Sequence, residues 1–187
     1  MDRIFKIAVL GSSSVSRDSD DGRKAYSIGR SIATEGYVLL TGGCTGLPHA
    51  AVDGATSAGG LTVAVSPAKN RKEHDEVYGY PLDSFITLFT GMGTKGRNVV
   101  LIRSADACVF VGGGMGTLNE FTIAYTDLGS SGAIGVLAGS GGLSDEIPKL
   151  VSLEQREPRA RFLVDPDPEA LLDKIFLHLR DQKSGGR

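Results

Sequence analysis

The chain has 187 residues, 41% of them hydrophobic and 22% charged, which suits one domain burying roughly 70% of its unfolded surface. A net charge of −2 and a pI of about 5.9 disfavour nucleic acid as a partner, because dedicated binders carry a clear basic excess. No apolar run reaches the ~18 residues that span a membrane, and Met1-Asp2-Arg3 opens no signal-peptide pattern, so Cys44 and Cys108 are expected as reduced thiols of a cytoplasmic protein.

Residues 4–10 form a largely apolar run that ends in Gly11-Ser12-Ser13-Ser14, the pattern of a buried parallel strand and its exit loop. Residues 20–35 space Ala25, Ile28, Ile32 and Ala33 at helical intervals and stop at Gly36. A second strand over 37–40 leads into Thr41-Gly42-Gly43-Cys44-Thr45-Gly46-Leu47-Pro48, and a small-residue helix follows over 50–58. A third strand is expected over 61–65, then a charged, irregular excursion over 66–84 that covers the rim of a site. A fourth strand over 85–89, a helix over 94–104 and a strand over 107–111 come next. Helices over 117–128, 143–152 and 167–181, with strands over 133–138 and 161–164, complete the series; residues 182–187 read as a flexible tail of a single domain over 1–181. Strict alternation of strand and helix predicts an α/β fold, a Rossmann-like doubly wound parallel sheet in three α/β/α layers. Ligands of such folds sit beyond the C-terminal strand ends.

The most informative stretch is VFVGGGMGTLNEF, in which a buried strand empties into Gly112-Gly113-Gly114-Met115-Gly116 and opens a helix. Backbone amides of such a turn converge on an anion, helped by the helix dipole. Gly113, Gly114, Met115, Gly116 and the Thr117 hydroxyl are therefore candidates to hold a phosphate, with Glu120 meeting the sugar attached to it. The alternative is a capping box in which Thr117 and Glu120 satisfy each other's backbone donors. Arg97 lies in a helical first turn, where the dipole disfavours a cation. With Asn98 beside it and the apolar Val99-Val100-Leu101-Ile102 behind it, it calls for an anion or a Glu nearby. That apolar run is expected to be wholly buried or packed against a second copy, which makes a homodimer or higher homo-oligomer an expectation. Gly11 and Ser12 are candidates for a neighbouring ligand wall, Gly42, Gly43 and Gly46 either supply a second wall or only make a tight strand-to-helix turn, and Cys44 reads as a small residue. His49, His74 and His178 are scattered without metal-site spacing, so no metal and no cofactor are expected. Neither GxGxxG after the first strand nor a Walker Gly-Lys-Ser/Thr is present. The expected partner is a small nucleotide or phosphosugar.

GGGMGTLNE at 112–120 resembles the PGGxGTxxE signature of the Lonely Guy proteins, and TGGCTGLPHAAVDGA at 41–55 is similar to their GGGxxGLMGxxxxxA segment. That resemblance implies a Rossmann-like phosphoribohydrolase. Such an enzyme cleaves the N-glycosidic bond of AMP or a cytokinin riboside monophosphate to give base and ribose 5-phosphate. Arg97 and Glu120 would be its catalytic pair, and Gly113, Gly114, Gly116 and Thr117 its phosphate grip. Gly112 stands where the signature has Pro, and Met92-Gly93-Thr94-Lys95-Gly96-Arg97-Asn98 is a reduced form of its Met-His-x-Arg-Lys segment. In these departures the chain looks more like a sister branch near the molybdenum cofactor carrier proteins, which bind a phosphate-tailed pterin and catalyse nothing. The same Rossmann unit is distantly similar to the single-stranded-DNA partner DprA.

Overall fold

A computed structural model describes residues 4–184. Seven strands, β1 (Lys6–Gly11), β2 (Val38–Thr41), β3 (Thr62–Ser66), β4 (Ile86–Phe89), β5 (Ala107–Val111), β6 (Ala133–Leu137) and β7 (Arg161–Asp165), form one sheet in the order β4-β3-β2-β1-β5-β6-β7. Every adjacent pair is parallel. The chain runs outward from β1 to one edge, returns to the middle at β5 and runs to the other edge. The topological switch therefore lies between β1 and β5, whose ends are in register as Gly11 opposite Val111. The crevice of a doubly wound sheet opens at such a point.

Strand alternation divides the core in two. Ile7 and Val9 of β1 face one side, with α1 (Asp20–Thr34), α2 (Leu47–Ser57) and α7 (Pro168–Ser184) packed over them through residues such as Ile28, Ala51 and Ile175. Ala8 and Leu10 face the other side, with α4 (Gly93–Ser104), α5 (Met115–Asp127) and α6 (Ile147–Leu153) packed over them through Leu101, Phe121 and Ile147. Central β5 and β6 are buried along their whole length, which is why each reads as an unbroken apolar run. The small residues of α1 and α2 let those helices nearly touch: a Cβ on Gly29 would lie 1.9 Å from the Ala51 carbonyl oxygen, and one on Gly54 2.0 Å from that of Tyr26. Ser19 caps α1 by accepting from the Gly22 amide at 3.0 Å, with Asp20 and Asp21 in the first turn to complement the dipole.

Several expected boundaries move. α2 begins at Leu47, three residues early, with Pro48 in its first turn, where the missing N–H is harmless. The 66–84 excursion is not wholly irregular, because it contains α3 (Arg71–Glu76), capped by the Asn70 side chain. Its His74 is completely buried. The ring donates from Nε2 to the Pro81 carbonyl at 2.9 Å, so Nδ1 accepts from the Ser66 hydroxyl at 2.7 Å. Residues 182–184 continue α7 instead of leaving it as a tail, and the rest of the expected tail, 185–187, lies outside the described residues, as does Met1-Asp2-Arg3. Among the described residues no helix is long and apolar enough to cross a membrane.

Candidate functional site

The exit of β5 is built for close approach. Gly112 and Gly113 have φ of 58° and 100°, a left-handed region that side chains disfavour. A Cβ on Gly113 would collide with the Thr117 hydroxyl at 2.1 Å. Ser140, just beyond β6, accepts from the Gly112 amide at 2.8 Å, the Ser144 hydroxyl donates to the Gly112 carbonyl, and the Leu143 amide donates to the Gly113 carbonyl at 2.8 Å. Held from behind in this way, the turn delivers α5 with Gly114 as its N-cap and no side chain bonded across its end. The first backbone bond of the helix runs from the Leu118 amide to the Gly114 carbonyl at 2.9 Å. The amides of residues 115–117 precede that ladder and are the donors an anion would use.

This start overturns the capping-box alternative. Thr117 lies inside the first turn of α5 instead of capping it, and Glu120 turns inward, 8% exposed, toward α4. There Arg97 approaches it, with Nη1 3.3 Å from Glu120 Oε1. Because α4 starts at Gly93, Arg97 sits just past its first turn, and it has the carboxylate that a cation there calls for. Arg97 is itself 5% exposed, and its Nε has no hydrogen-bond partner among the described residues. Buried polar groups are rarely left in that state, so a ligand acceptor at this point would complete the guanidinium. Burial pushes the Glu120 carboxyl up to about 7, against the opposing pull of Arg97 and Lys95. Asn98 donates from Nδ2 to Asn119 Oδ1 at 2.8 Å and so latches α4 to α5 beside the pair. Burial also raises the Cys44 thiol to about 11. It is a neutral thiol at neutral pH, as its reading as a small residue implies.

These groups surround a cleft of about 320 Å³, at the small end of ligand sites. Of the residues proposed from sequence, Gly11, Ser12, Arg97, Asn98, Gly114, Gly116, Thr117 and Glu120 line it. Gly113 and Met115 do not: the first supports Thr117 from below, and the second is 71% exposed. Gly42, Gly43 and Gly46 are buried behind the wall. A Cβ on Gly42 would lie 2.3 Å from Arg97 Nη1, one on Gly43 3.2 Å from the His74 ring, and one on Gly46 2.3 Å from the Ser12 carbonyl. The glycines of the β2 exit thus make room for protein groups, above all the Arg97 guanidinium.

Sequence reasoning missed Ser13, Ser14, Thr94, Lys95 and Tyr80 on the cleft wall. Tyr80 comes from the segment after α3, where its ring meets His74 edge-on at 5.6 Å and Tyr78 at 5.4 Å. Tyr78 and Tyr80 in an otherwise charged stretch were the available signal.

The apolar run of α4 resolves in one half only. Leu101 and Ile102 are completely buried in this chain's own core, while Val99 and Val100 are half-buried.

Comparison with known proteins agrees with the fold and refines the family. A 125-residue stretch, 67% of this chain, is 38% identical to an uncharacterized protein of Archaeoglobus fulgidus and covers 76% of it. The fold is similar to the molybdenum cofactor binding protein of Rippkaea orientalis (30% identity, TM-score 0.71, 94% of this chain and 98% of that one). It is also similar to the Moco carrier protein of Chlamydomonas reinhardtii (26% identity, TM-score 0.74, 96% and 99%). DprA of Helicobacter pylori, a single-stranded-DNA-binding protein, shares the fold alone at 17% identity (TM-score 0.61, 95% and 81%). The Lonely Guy resemblance is therefore carried at the level of the wider superfamily. A family model matches residues 4–171, and the chain belongs to the SLOG cluster4 family.

Proposed function

We propose that the chain binds a phosphorylated small molecule with a planar heterocycle, either a nucleoside 5′-monophosphate or the phosphate-tailed pterin of the molybdenum cofactor. The observation that carries this reading is the uncapped N-terminus of α5 opening on the same cleft as the buried Arg97. The phosphate would take the amides of Gly116 and Thr117 and the Thr117 hydroxyl, with Lys95 adding charge and Arg97 Nε an unsatisfied donor. Tyr80 offers a π-face to the ring. The likeness to molybdenum cofactor proteins at 30% and 26% identity supports a carrier role. Single-stranded nucleic acid is not the ligand in this reading, because a cleft of about 320 Å³ suits one nucleotide and the net charge is −2.

A second reading rests on Glu120. A carboxyl pushed up to about 7 beside a guanidinium 3.3 Å away is half-protonated near neutrality and suits general acid–base work. In a phosphoribohydrolase, the C1′–N bond of a bound AMP or cytokinin riboside monophosphate breaks. Glu120 stabilises the oxocarbenium-like ribose and takes a proton from the entering water, whose hydroxyl joins C1′; the departing base takes up a proton from solvent, to which Glu120 then returns its own. Incubation with 5′-AMP, followed by native mass spectrometry and chromatography, separates the readings. AMP retained intact supports the carrier, and free adenine that disappears in Glu120→Gln supports the hydrolase. Failure of AMP and of molybdenum cofactor to bind at millimolar concentration overturns both.

The homo-oligomer belongs here too. β4 is a sheet edge, and Phe85, Leu88, Phe89 and Met92 along it are 76%, 50%, 37% and 53% exposed. An unpaired apolar edge invites a partner, and a second copy through this edge and the adjoining α4 is the proposed one.

A further inference from the structure

We infer that His49, Asp53 and Asp83 form a binding site for a divalent transition metal of the Zn²⁺ class, separate from the phosphate cleft. The expectation that the histidines lack metal-site spacing overlooked two partners of His49. One is Asp53, four residues along α2 and so on the same helical face. The other is Asp83, brought from the segment between α3 and β4. One ligand atom from each of His49, Asp53 and Asp83 lies within 4.8 Å of the other two. None of these residues lines the cleft.

The chemistry suits a divalent ion. One imidazole and two carboxylates neutralise a 2+ charge and leave coordination positions for water, a set that zinc accepts. Bonds of about 2.0–2.2 Å in tetrahedral geometry place ligand atoms about 3.3–3.6 Å apart. His49 Nε2 lies 2.5 Å from Asp83 Oδ2 and 3.8 Å from Asp53 Oδ1, values that bracket this spacing. Closing on an ion therefore replaces the direct His49–Asp83 hydrogen bond and shifts the His49–carboxylate separations by about an ångström or less. Neighbouring groups hold two of these ligands in position. Arg17 Nη1 holds the other oxygen of Asp53, Oδ2, at 2.6 Å and turns Oδ1 toward His49, the orienting role outer-shell partners play around metals. Asp83 is fixed on both sides, because the Pro81 carbonyl accepts from His74 and the Phe85 amide donates to the Thr62 hydroxyl at 2.9 Å.

Bound there, the ion joins α2 to the 77–85 segment. Tyr80, three residues before Asp83, is on that segment and on the cleft wall, so the metal acts as a clip holding the aromatic wall in place. Full-length protein stripped with chelator is titrated with Co²⁺, read by its d–d absorbance, and with Zn²⁺ by calorimetry. One equivalent binding at micromolar Kd or tighter is expected, weakened at least 30-fold in His49→Ala and at least 10-fold in Asp83→Asn. Asp83 is exposed, so its variant tests the site even if His49→Ala fails to fold. Zn²⁺ is also expected to slow amide exchange across 77–85 in the wild type and not in Asp83→Asn. Absence of saturable binding up to millimolar metal, or binding unchanged in Asp83→Asn, overturns the proposal.

Discussion

Glu120→Gln isolates the electrostatics of the buried pair. Glutamine keeps the size of the side chain and an oxygen for Arg97 Nη1 to donate to, while removing the titration. In the wild type the carboxyl rises from an ordinary 4.5 to about 7, chiefly through burial. Because the folded-state value is raised, the native protein holds this proton more tightly than the unfolded chain. The stability associated with Glu120 is fully present below pH 4.5 and is lost as pH climbs through 7. The interval between those values, at about 1.36 kcal/mol per pH unit, amounts to about 3 kcal/mol in full and about 2–3 kcal/mol between pH 5 and pH 8. Cys44, Tyr80 and Cys108 feel the Glu120 charge, but burial keeps all three protonated between pH 5 and pH 8, so over that interval the difference in melting temperature between variant and wild type reports Glu120. Differential scanning calorimetry at pH 5 and pH 8 is expected to show the variant gaining on the wild type by ~5–10 °C over that interval. A difference that stays constant with pH would refute the reasoning, because Glu120 would then titrate as a solvated carboxylate.

Three further outcomes follow from the packing. Gly42→Ala places a Cβ 2.3 Å from the end of a flexible arginine, so Arg97 yields instead of the fold. Melting should fall by only a few degrees while 5′-AMP affinity, measured by calorimetry, drops at least tenfold. Gly29→Ala meets backbone, the Ala51 carbonyl, at 1.9 Å, and chemical denaturation should show a loss of about 2–4 kcal/mol from forcing α1 and α2 apart. Phe85→Asp charges the apolar edge of β4, and light scattering at micromolar concentration is expected to shift from dimer to monomer; a wild type already monomeric would remove the dimer.

The strands were legible to within two residues because buried parallel strands are continuous apolar runs, and β5 falls at residues 107–111 as read. Helix starts were less legible where glycine or proline occupies a first turn. Gly114-Met115-Gly116 resembles loop, and Thr117 three residues before Glu120 imitates a cap, so α5 was expected two residues late. Arg97 was legible as a functional residue because a cation at a helix N-terminus conflicts with the local dipole, and Glu120 resolves that conflict. The role of Gly42 was not, because a glycine that admits a ligand and one that admits an arginine from α4 look alike in sequence. Tyr80, and the meeting of His49 with Asp83, depend on the course of the 77–85 segment, which no periodicity encodes.

The central claim concerns where a phosphate sits, and a crystal structure of the protein with 5′-AMP, beside a binding measurement with adenosine, tests it most directly. The account predicts a phosphate within hydrogen-bond distance of the amides of Gly116 and Thr117 and the Thr117 hydroxyl. It also predicts that adenosine, lacking that phosphate, binds at least a hundredfold more weakly. A phosphate bound away from the α5 N-terminus, or adenosine binding as tightly as AMP, would contradict it.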